Sequence, residues 1–208
     1  MPDSFSDLKC PGRKAQFAAF SGPSLIQSSF LRTMSRIQAP AAVETHSIPP
    51  FFGDDSQILI LGSFPSVKSR ESGFYYGHPQ NRFWRVLSSV FDAPLPQTID
   101  QKQEFLRTHY IALWDVAAEC SIRGSADSSI SAVTANDIAP LLRSTQIKAV
   151  FLNGQTAQKL FRKYLSEETA KFGCTVTALP STSPANASYS LEKLAAEWGS
   201  AIRTVLMI

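Results

Sequence analysis

The chain has 208 residues, 44% hydrophobic and 18% charged, with 20 Lys and Arg against 17 Asp and Glu for a formal charge of +3. No apolar run approaches the roughly 20 residues that a membrane-spanning helix needs, which argues against a membrane partner, and the charge is too small to mark a strongly basic nucleic-acid-binding domain. Cys10, Cys120 and Cys174 have neither the even count of a disulfide framework nor the paired spacing of a metal site, which fits a reducing compartment and no bound metal.

Residues 1–44 hold five basic side chains (Lys9, Arg13, Lys14, Arg32, Arg36) and three acidic ones (Asp3, Asp7, Glu44), so most of the net charge lies there. Rich in Ser, Ala, Gln and Pro and without a sustained period, they read as a weakly ordered extension. A basic leader also suits a transit peptide, but Phe17 to Ile37 is only loosely amphipathic and lacks a small-residue cleavage site. Met34 offers an alternative start, and the folded domain is expected over 45–208. After a Pro/Gly/Asp lead-in from Ile48, Gln57–Leu61 is a continuous apolar strand of the kind buried on both faces of a parallel sheet. A long polar and aromatic loop then runs to Asn81, and Arg82–Phe91 repeats Phe83, Val86, Leu87 and Val90 at helical spacing. Ile111–Trp114 reads as a strand, Asn136–Arg143 as a capped helix, Lys148–Leu152 as a buried strand, Gln155–Leu165 as a helix and Cys174–Leu179 as a strand. Leu191, Leu194, Ala195, Trp198, Ile202 and Val205 form the buried stripe of a terminal helix. This alternation predicts an α/β fold, a single three-layer α/β/α sandwich around a central, mostly parallel sheet. Ligands of such sheets bind at the carboxyl ends of the strands, which singles out the loops after Leu61, Leu152 and Leu179.

The first of these loops reads Gly62-Ser63-Phe64-Pro65-Ser66, then Phe74-Tyr75-Tyr76-Gly77-His78-Pro79-Gln80-Asn81-Arg82-Phe83-Trp84. The second reads Asn153-Gly154-Gln155-Thr156 and the third Pro180-Ser181-Thr182-Ser183-Pro184-Ala185-Asn186. Together they resemble the uracil-DNA glycosylase superfamily, most closely its hypoxanthine-DNA (deoxyinosine) glycosylase branch, from about Ile58 to the C-terminus. The resemblance implies that superfamily's fold, a damaged-DNA substrate whose nucleotide is flipped out of the helix, and hydrolysis of the bond between deoxyribose and a deaminated base. Hypoxanthine is the expected base, with uracil a further one, and an abasic site is the expected product. A cytoplasmic, nucleoid-associated monomer without cofactor fits that reading. The Gly62–Trp84 run also resembles the mismatch-specific uracil and thymine glycosylases, and a DNA-binding module of the same fold without chemistry is a further alternative.

Cleaving such a bond builds positive charge on the sugar and negative charge on the departing base, so a site must stabilise both and place a water beneath the anomeric carbon. Relatives hold this water with a carboxylate or an Asn in the first loop; the corresponding residue here is Phe64. Asn81 is the natural substitute, positioning the water rather than abstracting its proton, because an amide is a weak base. The residues alone fit a plain helix N-cap at Asn81 equally well, and the resemblance tips the balance to catalysis. Asn153 ends a buried strand, where Asn is a poor strand former. Its carboxamide can meet the adjacent carbonyl and N–H that hypoxanthine and uracil share; a turn before Gly154 is the plainer use, and the matched loops favour base recognition.

Tyr76 is the best match to the family's base-stacking aromatic, with Phe64 a second wall and Gly62 and Ser63 completing the base site, although packing onto the sheet serves such rings as well. His78 suits a phosphate or the departing base, or a structural role. Ser181, Thr182, Ser183, Pro184 and Ala185 match the loop that enters the minor groove, their hydroxyls suited to phosphate oxygens; without the resemblance they are a capped turn ahead of the terminal helix. Other branches carry a His where this chain has Leu179. The motifs contain no Lys, Lys68 being the nearest, so a Schiff-base lyase step has no obvious nucleophile. Lys68, Arg70 and Arg82 are the cations placed to meet DNA.

Overall fold

The computed structural model describes residues 42–122 and 130–207; the expectations for residues 1–41, including Met34, lie outside the described residues. In chain order the elements are β1 (Ala42–Thr45), β2 (Ile58–Gly62), α1 (Val67–Ser72), α2 (Phe83–Val90), α3 (Ile99–Thr108), β3 (Ile111–Asp115), β4 (Ala117–Ile122) and β5 (Ser131–Ala135). They continue as α4 (Ala139–Ser144), β6 (Ala149–Asn153), α5 (Gln155–Tyr164), α6 (Ser166–Ala170), β7 (Thr175–Leu179) and α7 (Leu191–Leu206).

Among the described residues, four strands form a sheet in the order β3-β2-β6-β7, and every pairing is parallel. The two-residue period of a strand sends alternate side chains to opposite faces. Ile58, Ile60, Leu113 and Phe151 pack on one side with Phe83, Leu87, Leu106, Leu194 and Trp198, so α2, α3 and α7 cover that face. Leu59, Leu61, Val150 and Leu152 pack on the other with Leu141, Leu142, Ala157 and Phe161 of α4 and α5. The unbroken Ile58-Leu59-Ile60-Leu61 run is apolar at every position because both faces are covered, and the three-layer expectation holds.

Three of the expected strands end one residue later than the sequence pattern suggested, which carries Gly62, Asp115 and Asn153 into the ends of β2, β3 and β6, while β7 ends at Leu179 as expected. The helix expected from Asn136 starts only at Ala139, behind Asp137, whose Oδ1 accepts from the Ala139 N–H at 3.1 Å. Asn136 instead donates from Nδ2 to the Asp115 carbonyl at 2.9 Å.

Several elements had no expectation. A second, antiparallel sheet pairs β1 with β4 and β4 with β5. Its Ala, Ser, Thr and Glu content gives no apolar alternation, and it packs only a small cluster of Phe64, Ala117 and Cys120. β1 spans 42–45, so the strand lies across the expected boundary at residue 44. α1 interrupts the loop expected to run unbroken to Asn81, capped by Ser66 and ended by Gly73 at φ 72°. α3 opens on a capping box between Thr98 and Gln101.

Trp198 ties this framework to the strand ends. It is fully buried, packs edge-on against Phe83 at 5.9 Å and donates from Nε1 to the Pro180 carbonyl at 3.0 Å. Trp198→Ala is expected to cost about 3–5 kcal/mol in urea denaturation, from lost contacts and the cavity left behind.

Candidate active site

β2, β6 and β7 are neighbours, so the three loops that leave their carboxyl ends converge. Gly154 follows Asn153 at φ 94°, and a Cβ there would lie 2.7 Å from the Ser181 Cβ, so only glycine lets the second loop approach the third this closely. Its N–H donates to the Leu179 carbonyl at 2.9 Å.

Asn153 and Thr182 interlock. The Asn153 Nδ2 donates to the Thr182 Oγ1 at 3.0 Å, and its Oδ1 accepts from the Thr182 N–H at 3.0 Å. Because both contacts are with one residue, they occupy the side-by-side donor and acceptor edge of the carboxamide. The remaining N–H and lone pair diverge. In this arrangement the Asn153 carboxamide locks the third loop with one N–H and one lone pair, and these two bonds leave its second N–H and second lone pair uncommitted. Thr182 is fully buried, with its N–H and hydroxyl both taken by Asn153.

Arg82 holds the same loop from the other side. Its Nε donates to the Thr182 carbonyl at 3.4 Å, its Nη2 to the Ser183 and Asn186 carbonyls at 2.8 and 2.9 Å, and its Nη1 to the Tyr189 carbonyl. The backbone N–H of Arg82 adds a bond to the Thr182 carbonyl at 3.0 Å. This guanidinium is a loop organiser rather than a cation offered to DNA. Lys68 and Arg70 are paired as well, with Glu71 at 2.7 Å and Glu44 at 2.8 Å.

Asn81 lies just before Arg82, the N-cap residue of α2, and its Oδ1 accepts from the N–H of Phe83, the first residue of that helix, at 3.0 Å. His78 serves its own turn: its carbonyl accepts from the Asn81 N–H at 2.8 Å and its Nδ1 from the Gln80 N–H at 3.2 Å. Tyr76, in the left-handed region at φ 54°, stacks one ring face on Phe83 with centroids 3.7 Å apart. Phe64 is turned inward. Its buried ring joins the cluster beneath the small sheet, edge-on to His46 at 5.8 Å, with the Arg70 guanidinium 5.5 Å above it. The Gly62 and Ser63 carbonyls accept from the Val116 and Ala117 N–H groups at 2.9 and 3.0 Å, which fixes the start of the first loop against the β3–β4 junction. Leu179 is buried in the main core. In the third loop Ser181 Oγ accepts from the Ser183 N–H at 3.2 Å and Ser183 Oγ from the Ala185 N–H at 3.3 Å, while Pro184 and Ala185 form the exposed tip.

Sequence reasoning missed one pair at the same strand ends. Asp115, in register with Gly62, is 4% exposed and bonds through Oδ2 to the His46 Nε2 at 2.9 Å. A carboxylate directly after the apolar Ile111–Trp114 run was the available signal. Nearby, burial first, then Asp115 and Tyr76, push the Tyr75 phenol far above its usual range. It therefore remains a donor, to the Pro49 carbonyl at 2.9 Å. Among the described residues, no group of three or more His, Cys, Asp or Glu side chains is arranged to hold a metal, and no helix is long and apolar enough to cross a membrane.

The family model of the Uracil DNA glycosylase superfamily matches residues 49–202, which takes in all three loops. The chain belongs to the uracil DNA glycosylase superfamily. Within it, the chain is 32% identical over 160 residues to a hypoxanthine DNA glycosylase of Methanosarcina acetivorans, spanning 74% of this chain and 96% of that one. It is 34% identical over 115 residues to a hypoxanthine DNA glycosylase of Methanosarcina barkeri, spanning 54% of this chain and 73% of that one. A solution NMR structure from Methanosarcina acetivorans, provisionally called a uracil DNA glycosylase, superposes with a TM-score of 0.67 at 29% identity, over 79% of this chain and 99% of that one. The superfamily membership makes this chain a DNA glycosylase by family.

Arg82→Ala in this glycosylase would remove the guanidinium donors from the carbonyls of Thr182, Ser183, Asn186 and Tyr189. We expect a loss of about 2–4 kcal/mol in unfolding free energy and faster amide exchange across 180–189. Arg82→Lys should recover little, since an ammonium cannot span the carbonyls that a planar fork reaches.

Proposed function

We propose that this chain hydrolyses the glycosidic bond of deoxyinosine in DNA, releasing hypoxanthine and leaving an abasic site. The observation that carries the reading is the match to a hypoxanthine DNA glycosylase over 96% of that protein's length. The polar positions at which other branches act, Phe64 and Leu179 here, are apolar and packed inside, which agrees with a branch that places its polar groups elsewhere.

In this mechanism the flipped nucleotide enters between the first and third loops. The exposed Pro184–Ala185 tip, with the part-buried Ser181 and Ser183 behind it, meets the DNA backbone. Base recognition belongs to Asn153, Tyr76, Phe64 and the backbone at Gly62 and Ser63, and Asn153 also keeps the third loop in place beside the base. Asn81 positions the attacking water: its Oδ1 is anchored by the Phe83 N–H, which sets the amide's orientation before substrate arrives. No step forms a covalent bond to the protein, and Lys68, paired with Glu71 on α1, is not placed as a nucleophile. The enzyme acts as a monomer without cofactor.

Duplexes carrying one lesion each, deoxyinosine, deoxyuridine or a thymine mismatch, test the reading through release of free base and alkali-labile strand breaks. Hypoxanthine is expected; preferential release of uracil or thymine would reassign the substrate, and no release from any duplex would leave a DNA-binding module. For Asn81→Ala the expected single-turnover rate on deoxyinosine is roughly 100-fold lower, with DNA binding retained. Asn81→Ser keeps an acceptor for the Phe83 N–H and should restore the about 1 kcal/mol of helix capping but not the rate. Recovery of both would make Asn81 a cap and nothing more.

A further inference from the structure

Among the described residues, Asp115 is the buried carboxylate, and it pairs with an imidazole rather than a guanidinium or ammonium. Removing a carboxylate from water without a cationic partner costs stability. Departures of this sort from the rules of a stable core concentrate at functional sites, and this one lies at the carboxyl end of β3, beside the first loop.

The hydrogen bonds fix the direction of the pair. The Ile48 N–H donates to the His46 Nδ1 at 3.2 Å, so the ring proton sits on Nε2 and is donated to Asp115 Oδ2. The His46 side chain is 3% exposed, steadied edge-on by Phe64 and by Tyr75 at 6.4 Å. With Oδ2 held, Oδ1 is turned to the backbone of Gly62. A methyl group at position 62 would lie 2.1 Å from Oδ1 and 3.5 Å from the Tyr76 hydroxyl oxygen, so the glycine makes room for both. Tyr76 in turn stacks on Phe83, whose N–H Asn81 caps. One chain of contacts thus joins the carboxylate to the residue assigned to the water.

We propose that Asp115 is a catalytic carboxylate of this glycosylase and that His46 is the residue that positions it. The assignment rests on the glycosylase reading above. The water oxygen forms the new bond to C1′ while the C1′–N9 bond breaks and its electron pair leaves on hypoxanthine. Asp115 Oδ1 accepts the water proton and passes it to solvent, from which the departing base takes one, so no co-reactant is needed. Before that proton moves, while C1′–N9 is breaking, the carboxylate charge stabilises the positive charge that develops on the sugar. Asn81, a weak base, orients the water, and Asp115 supplies the proton acceptor that an amide cannot be.

Single-turnover excision from a duplex with one deoxyinosine, measured on the full chain together with DNA affinity and melting temperature, tests the assignment. Asp115→Asn, which keeps an acceptor for His46, is expected to lose roughly 100-fold or more in rate with DNA affinity unchanged. His46→Ala should lose roughly 10- to 100-fold through misplacement of the carboxylate. His46→Gln, whose amide still donates to Asp115, should recover most of that loss. Wild-type rate in Asp115→Asn overturns the proposal, and so does a loss accounted for by weakened DNA binding. If Asp115→Asn does not fold, the His46 variants decide: a glutamine no better than alanine overturns the pairing. A wild-type chain that releases no base sinks the glycosylase reading and this proposal with it, whereas an active wild type beside an equally active Asp115→Asn sinks this proposal alone.

Discussion

The guanidinium of Arg82 donates to the main-chain carbonyls of Thr182, Ser183, Asn186 and Tyr189, and the arrangement of the strand-end loops depends on that contact. A chain that leaves β7 and wanders before entering α7 has backbone groups with no ladder to join, and buried ones must find partners or cost stability. Arg offers five N–H donors in a rigid plane and no acceptor, which suits a cluster of carbonyls better than any other side chain. Thr182 is the node. Its carbonyl takes Arg82, and its N–H and hydroxyl take Asn153, so the end of the first loop and the end of β6 grip one residue of the third. The polar richness of the loop serves its own shape first, and Pro184 and Ala185 are left as its exposed tip.

That division explains which parts of the molecule were legible in the sequence. The Ile58–Leu61 run, the Phe83/Val86/Leu87/Val90 stripe and the stripe through Trp198 carry their burial in their spacing, because packing on a sheet imposes a period. α3 carried a different signal, the Thr98–Gln101 capping box, which a search for apolar period passes over because only Phe105 and Leu106 of its ten residues are buried. The small sheet had neither signal. β1 and β5 exist through their pairing with β4, and their residues have no face that reads as core. The site divides the same way. The three loops were legible as local strings, but Arg82 meets its carbonyls about a hundred residues away and Asn153 meets Thr182 across 29 positions. Long-range bonds to backbone leave no pattern in side-chain order, so neither set of contacts was legible there.

Phe64 shows how an apolar residue at a polar position can be absorbed. Turned inward, it becomes the floor of the small sheet, packing with Ala117 and Cys120, and it lies edge-on to His46. β1 ends at Thr45, and the next residue anchors through its N–H to the Ala118 carbonyl at 2.7 Å, which delivers the His46 ring to Asp115. The sheet that had no signature in the sequence is thus what brings an imidazole to the strand ends, and the phenylalanine is part of its support.

On the proposed mechanism this arrangement moves the reacting carboxylate from the loop to the strand. A group on a loop depends on the loop's own order, whereas Asp115 is the last residue of a strand hydrogen-bonded in register to Gly62. Its backbone carbonyl is also tied down, by the Asn136 side chain at 2.9 Å. A carboxylate so placed is pre-organised, and an electrostatic role requires that its direction not relax as charge develops. The same rigidity sets a geometric condition on the partner residue. Gly62 must stay without a side chain, because any Cβ would collide with Oδ1 at 2.1 Å. The glycine that opens the first loop is therefore constrained by the carboxylate across from it, independently of any role in binding.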